Sequence, residues 1–183
     1  MGGAEGFCLF ETPVGDCALA WSGDALQAVQ LPSPTSAALR ARMQRHFPGT
    51  PEATPPPWVA SIIDRIRAVM AGAPDDLRDV PLALQRVPDF HRRVYELARA
   101  IPPGQTRTYG ELARALGDPA AARAVGQALG QNPFAPVVPC HRILAAGGAS
   151  GGFSAPGGTR TKLRLLELER ARFGPQPGLF DEG

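Results

Sequence analysis

Thr108-Tyr-Gly-Glu-Leu-Ala-Arg-Ala-Leu-Gly-Asp118-Pro-Ala-Ala-Ala-Arg123-Ala-Val-Gly-Gln-Ala-Leu-Gly-Gln-Asn132 reads as two short helices around a tight turn. Thr108 is placed to cap a helix from Tyr109 to Leu116, and Glu111, three residues on, completes a capping box. Gly117-Asp118-Pro119 breaks that helix, and Asp118 with Pro119 supplies the cap and first turn of a second, from about Ala120 to Gln131. The second helix offers small residues at Ala120, Ala121, Ala122, Ala124, Gly126 and Ala128, with Arg123 as its only charged side chain. A helix-turn-helix lays its second helix against nucleic acid. Small residues read few base edges but permit close approach in a shallow groove, which suits binding without sequence preference. The same Ala-rich composition also serves plain tight packing.

Upstream, Phe90, Val94, Leu97 and Ile101 fall at helical spacing, and Pro102-Pro-Gly104 ends that helix. The first half of the chain is different. Phe7–Glu11, Cys17–Trp21 and Leu26–Leu31 are β-rich runs separated by turn residues, and Ser36–His46 and Trp58–Met70 have helical pattern. Val80–Leu84 is a candidate further strand. The expected organisation is an α/β N-terminal domain over 1–85, with a small antiparallel sheet and helices. A mostly α C-terminal domain with the helix-turn-helix follows over 86–172, then a flexible Gly/Pro tail over 173–183.

Beyond the helix-turn-helix stands Pro139-Cys140-His141-Arg142, reached through the apolar segment Phe134-Ala-Pro-Val-Val138. A thiolate is the strongest nucleophile among ordinary side chains, and a nearby base raises its population at neutral pH. Adjacent side chains in extended backbone diverge, so a bend or a bridging water must connect the two if they act together. A bare Cys-His pair is also what a structural buried cysteine beside an unrelated histidine looks like.

The chain has 183 residues, 44% of them hydrophobic, enough for one domain or two small ones. It has no apolar run of membrane-spanning length and no basic-then-apolar leader at Met1–Gly6. Cys8, Cys17 and Cys140 show no disulfide framework, so a reducing cytoplasm fits. Cys8, Cys17, His46 and His91 lack ligand spacing; no metal and no cofactor are expected. The net charge of +2 divides unevenly: −3 over residues 1–85, +7 over 86–172 and −2 over the tail. The motif-bearing half is thus the basic half, as a phosphate-facing surface requires.

In order and spacing, Tyr109-Gly-Glu-Leu-Ala113, Ala121-Ala-Arg123-Ala-Val-Gly126, Asn132-Pro133, Pro139-Cys-His-Arg142, Gly151-Gly-Phe-Ser154 and Lys162-Leu-Arg-Leu-Leu-Glu-Leu-Glu169 resemble the O6-alkylguanine-DNA alkyltransferases, the methylated-DNA–protein-cysteine methyltransferases. Phe10-Glu-Thr-Pro-Val-Gly15 and Leu19-Ala-Trp21 resemble the start of that family's N-terminal domain. The resemblance implies a ribonuclease H-like N-terminal domain and a winged-helix-like C-terminal one. It implies a cytoplasmic, monomeric DNA repair protein that flips O6-alkylguanine, and O4-alkylthymine as a further lesion, from duplex DNA. The alkyl group would pass irreversibly, once per molecule, to Cys140. His141 would take the thiol proton through a water, and Glu169 would orient the imidazole, with Glu167 the close competitor two residues away. Asn132 matches the hinge asparagine. Arg123 matches the finger that fills the vacated stack, and Tyr109 the tyrosine that assists rotation of the nucleotide. Ala122, Ala124 and Gly126 would face DNA. Leu129, Ile143, Phe153 and Ser154 would line the base pocket. The segment Ala155–Thr161 is slightly longer than the shortest family loops, which bears on the alkyl groups accepted. Rival readings are a catalytically silent alkyltransferase-like lesion binder, a Cys-His hydrolase and a DNA-binding regulator without chemistry. In the tail, Gln176-Pro-Gly-Leu-Phe180 resembles peptides that dock weakly into the bacterial sliding clamp, with Gln176, Leu179 and Phe180 as anchors.

Overall fold

Two tight turns fold the first thirty residues into an antiparallel sheet of order β1-β2-β3, made of β1 (Gly6–Thr12), β2 (Gly15–Ser22) and β3 (Ala25–Gln30). The first turn is held by the Thr12 hydroxyl, which donates to the Gly15 carbonyl at 2.6 Å and accepts from the Val14 amide at 3.2 Å. Gly15 takes φ +123°, where a side chain would be strained. The computed structural model describes residues 3–146 and 158–170. By their contacts these form two units: residues up to Arg86 with Pro133–Val137, and Val87–Asn132 with the described residues from Val138 onward. Among the described residues no helix is long and apolar enough to cross a membrane. Phe153, Ser154 and the tail with Gln176, Leu179 and Phe180 lie outside them.

In the first unit the central strand is buried from Cys17 to Trp21 without alternation, because both faces of the sheet are covered. On one face α1 (Ser36–His46) packs Leu39 and Met43 against Phe7, Ala18 and Ala20. The opposite pleat carries Cys8, Phe10, Cys17 and Leu19, all buried. Arg67 of α2 (Pro57–Met70) reaches over the Phe10 ring at 5.9 Å. Burial raises the Cys8 thiol to about 11 and the Cys17 thiol to about 12, so both are inert packing residues at neutral pH.

The strand expected at Val80–Leu84 shrinks to a single parallel bridge, Leu26 with Leu82. The Pro81 carbonyl accepts from the Leu26 amide, but Pro81 has no N–H with which to continue a ladder, and the chain turns into a 3-10 segment at Leu84–Arg86. A second bridge, Val29 with Phe134, uses the Pro133 carbonyl in the same way and draws Pro133–Val137 to this unit.

The second unit holds α3 (Asp89–Arg99), β4 (Arg107–Thr108), α4 (Tyr109–Ala115), α5 (Ala122–Gly130), β5 (Ile143–Leu144) and α6 (Gly158–Leu168). The α4 capping box forms as read: Thr108 accepts from the Glu111 amide at 3.0 Å and Glu111 from the Thr108 amide at 3.2 Å, worth about 1 kcal/mol. Gly117, at φ +84°, makes the sharp exit from α4. The following helix starts two residues later than read. The Asp118 carboxylate takes the Ala120 amide at 3.1 Å, which winds Pro119–Ala121 into a 3-10 turn before α5 begins. In α3 the buried stripe is also rotated from the expected one. Val94, Tyr95 and Ala98 are buried while Phe90 and Leu97 are only partly so, because the Tyr95 hydroxyl donates to the Ala128 carbonyl of α5 at 2.6 Å.

Candidate active site

A two-residue parallel ladder decides where the chemistry sits. Arg107 pairs with Ile143 and Thr108 with Leu144. Tyr109, the first residue of α4, follows β4 directly, while Cys140–Arg142 form a 3-10 turn that runs straight into β5. Residues distant in sequence thereby meet at one end of a minimal sheet. The turn is closed by its own backbone, with the Cys140 amide donating to the Val138 carbonyl and the Ile143 amide to that of Cys140. The Asn132 side chain donates to the same Val138 carbonyl at 2.9 Å and so ties the end of α5 to this turn.

Cys140, His141 and Arg142 are all buried. The His141 Nε2 lies 2.8 Å from the Glu169 Oε1, and Glu169, just past the end of α6, is itself buried. Glu167 points away, exposed and loosely paired with Arg164 at 3.9 Å. Arg142 holds the same Glu169 carboxylate through Nε, at 3.1 and 3.0 Å, and through Nη2 at 2.6 Å, while its Nη1 donates to the Ile101 carbonyl at 2.7 Å. The end of α3, the cysteine turn and the end of α6 therefore converge on one carboxylate. Gly104 must be glycine for this: it has φ +87°, and a Cβ there would stand 3.3 Å from the Glu169 carbonyl.

The electrostatics follow from burial and this carboxylate. Burial raises the Glu169 pKa, but the hydrogen bonds from His141 and Arg142 and the Arg142 charge outweigh it and hold the group at about 2. Burial depresses His141, against the pull of Glu169, so the imidazole rests neutral. An ionised carboxylate only accepts, so Nε2 carries the ring hydrogen and Nδ1 carries the free lone pair. That Nδ1 is buried with no partner among the described residues. Burial likewise raises the Cys140 thiol, against the Asn132 hydrogen bond and the Lys162 charge. The resting site is a neutral thiol beside a neutral base with an open acceptor.

Tyr109 is half-buried, with its ring 3.9 Å from where a Gly126 Cβ would stand, so a small residue on α5 makes room beside it. Arg123 is exposed on α5, with Ala122, Ala124 and Gly126 half-buried beside it, and Leu129 and Ile143 are buried. Arg142 and Lys162 were legible only as parts of motifs, without roles. The signal for Arg142 was available: a buried carboxylate beside a neutral histidine needs a permanent cation. Lys162 donates to the Ile143 carbonyl at 2.6 Å, and its Nζ stands 5.7 Å over the Tyr109 ring. Among the described residues, no three His, Cys, Asp or Glu side chains group to hold a metal.

The family model of the 6-O-methylguanine DNA methyltransferase DNA binding domain matches residues 89–171. The methylated-DNA–protein-cysteine methyltransferase of Mycobacterium tuberculosis is 40% identical over 172 residues, covering 93% of this chain and 96% of that protein. This chain belongs to that methyltransferase family. The Methanosarcina acetivorans member is 32% identical, covering 89% of this chain and 97% of its own. Among solved structures, Mycobacterium tuberculosis OGT in complex with DNA superposes with a TM-score of 0.72 at 38% identity, over 96% of this chain and 99% of that one. The methyltransferase of Pyrococcus kodakaraensis gives 0.69 at 25% identity, over 89% and 98%. Both share the small antiparallel sheet with helices.

The methyltransferase site carries a pH signature. The folded-state pKa of Glu169 lies below the ordinary 4.5, so its contribution is complete above about pH 4.5 and is lost as the pH falls toward 2. At ~1.4 kcal/mol per unit this amounts to about 3 kcal/mol. His141, depressed below its ordinary 6.5, adds acid lability in the same direction. Glu169→Gln should cost about 3 kcal/mol at pH 7, leaving Arg142 buried without its anion. That deficit should shrink as the pH approaches 2; denaturant titrations of both proteins across this range measure it, and a pH-independent deficit contradicts the assignment.

Proposed function

We propose that this methyltransferase repairs O6-alkylguanine in DNA by moving the alkyl group onto Cys140. The observation that carries the reading is the His141 Nδ1, a buried lone pair without a partner among the described residues, on the residue that follows a buried cysteine and backed by an ionised carboxylate. A water bridging the thiol to Nδ1 would satisfy that nitrogen and carry the proton. As the sulfur attacks, the S–C bond forms, the bond from the alkyl carbon to O6 breaks and its electron pair stays with the base. The proton that left the thiol is returned to the guanine ring, which leaves as the keto tautomer. The imidazolium that forms is stabilised by Glu169. A thioether resists water, so each molecule acts once.

A base inside a duplex is out of reach of a buried thiol, so the nucleotide must be turned out of the stack at a cost of a few kcal/mol. Arg123 is the finger in this proposal, because it is the exposed cation on α5. Ala122, Ala124 and Gly126 beside it leave α5 low-profile against a minor groove. Tyr109 crowds the target phosphate and donates to the flipped base. Leu129 underlies the base, and the Cys140 and Ile143 carbonyls each keep a second lone pair for its exocyclic amine. Phe153 and Ser154 complete the pocket in this reading. The DNA bound by Mycobacterium tuberculosis OGT supports a DNA partner here. O4-alkylthymine as a second lesion, the ribonuclease H-like and winged-helix-like descriptions, and the division of labour between 1–85 and 86–172 belong to the same proposal. The clamp contact through Gln176, Leu179 and Phe180 rests on sequence pattern alone; a clamp titration with and without residues 174–183 tests it.

Incubation with an O6-methylguanine duplex should add one methyl to the Cys140 peptide by mass spectrometry, and no more than one turnover per molecule. Cys140→Ser should abolish this and keep duplex binding. Repeated turnover would instead indicate a Cys-His hydrolase, and no transfer with tight lesion binding a silent relative. Arg123→Ala should slow duplex repair by roughly 10- to 100-fold, a loss of ~1.4 kcal/mol per decade. Its reaction with free O6-benzylguanine, which needs no flipping, should be near normal; equal losses on both substrates remove the finger role.

A further inference from the structure

The chain carries eighteen arginines and one lysine, Lys162. Where a permanent or exposed cation is needed, arginine supplies it throughout, including the buried clamp on Glu169. The lone lysine is fully buried on α6, its ammonium donating to the Ile143 carbonyl at 2.6 Å and standing 5.7 Å over the Tyr109 ring. Ile143 is the first residue after the Cys140–Arg142 turn, and Tyr109 follows the strand that pairs with it. A guanidinium is a broad fork that never loses its charge; an ammonium is a compact point charge that does. Burial makes the difference consequential, because it lowers Lys162 to about 8, with Cys140 opposing the shift.

We infer that Lys162 is a positioning residue for the transfer: its ammonium, fixed at the Ile143 carbonyl and over the Tyr109 ring, supplies the positive charge against which the Cys140 thiolate forms. This rests on the alkyl-transfer reading of the same site. In the step itself the thiol proton goes to His141 Nδ1, the S–C bond forms and the C–O6 bond breaks. The guanine ring takes up the proton, and Lys162 keeps its own throughout. Attack creates an anion in a buried place where His141 and Arg142 are committed to Glu169. Lys162, held at the carbonyl of the residue after the turn, is charge-coupled to Cys140, and the neutral thioether product no longer calls on it. The other titratable or charged groups facing this locus are Tyr95 of α3 and Tyr109 of α4, both raised by burial and by Cys140, together with His141, Arg142 and Glu169. The thiolate–ammonium pair and the thiol–amine pair hold the same number of protons, so the two groups titrate as a couple.

Because Lys162 is the chain's single lysine, lysine-selective labelling reports it alone. Nitrogen NMR of the full chain should show its Nζ titrating near 8, and in Cys140→Ser the midpoint should move lower, since the thiolate–ammonium form of the coupled pair, which favours the ammonium, is no longer accessible. An Nζ midpoint that stays at the ordinary 10.5, or is unchanged by Cys140→Ser, overturns the inference. In Lys162→Met, which keeps length and removes charge, the Cys140 peptide should react with iodoacetamide about tenfold more slowly at pH 7, with its pH midpoint raised by about one unit. Lys162→Arg should restore part of that rate. A coincident pH profile in a natively folded Lys162→Met overturns the inference, and if that variant does not fold the NMR comparison decides. Neither readout requires repair activity. A shifted profile without alkyl transfer from a duplex would therefore discard the repair function and keep the Lys162 coupling.

Discussion

One carboxylate holds the chemistry of this protein in place. Glu169 is reached by His141 through one ring nitrogen and by Arg142 through two guanidinium nitrogens, and all three side chains are buried. Taking an anion and a cation from water is costly, and it is tolerated only where nearly every lone pair and N–H has a partner. Here Arg142 turns its third nitrogen to the Ile101 carbonyl, and the Glu169 oxygens accept four contacts between them. Of these three side chains, His141 Nδ1 has no partner among the described residues. An engaged carboxylate behind an imidazole with one free nitrogen is the arrangement that the proposed proton transfer needs.

The same burial keeps Cys140 as a thiol. A buried thiolate gains no solvation, so burial raises the Cys140 thiol, and in the proposed transfer the anion forms only as a substrate gives the electrons somewhere to go. The groups come from separate elements: Cys140 and His141 from one 3-10 turn, Lys162 from α6, Glu169 from just past its end, and Tyr109 from the start of α4. The β4-β5 ladder, only two residues long, brings α4 and the turn together.

Much of the second unit was legible in the chain. The Thr108 capping box, the Gly117 exit and the Ala/Gly character of α5 are local signals, and local signals survive in one dimension. The choice of Glu169 over Glu167 came from motif spacing, and the geometry gives its reason, since two residues rotate a side chain to another face of the chain and only one face meets His141. The misreadings were at places where a distant partner outweighed the local pattern. Tyr95, not Phe90, turned inward because its hydroxyl found the Ala128 carbonyl. Pro81 allowed one bridge but no strand, and Val29 claimed Pro133 for the other unit.

The sequence alone determined the kinds of groups available: a thiol beside an imidazole, a helix-turn-helix faced with small residues, a basic half and a single lysine. Periodicity and turn chemistry are properties of neighbours, so they can be read from neighbours. The tertiary structure decided which charges share a dielectric. It placed Arg142 on the same carboxylate as His141 and left Nδ1 open. It also buried the only lysine beneath the cysteine turn, where an amine and a guanidinium cease to be equivalent. Protonation states depend on burial and on partners tens of residues away, and no spacing rule along the chain contains that information.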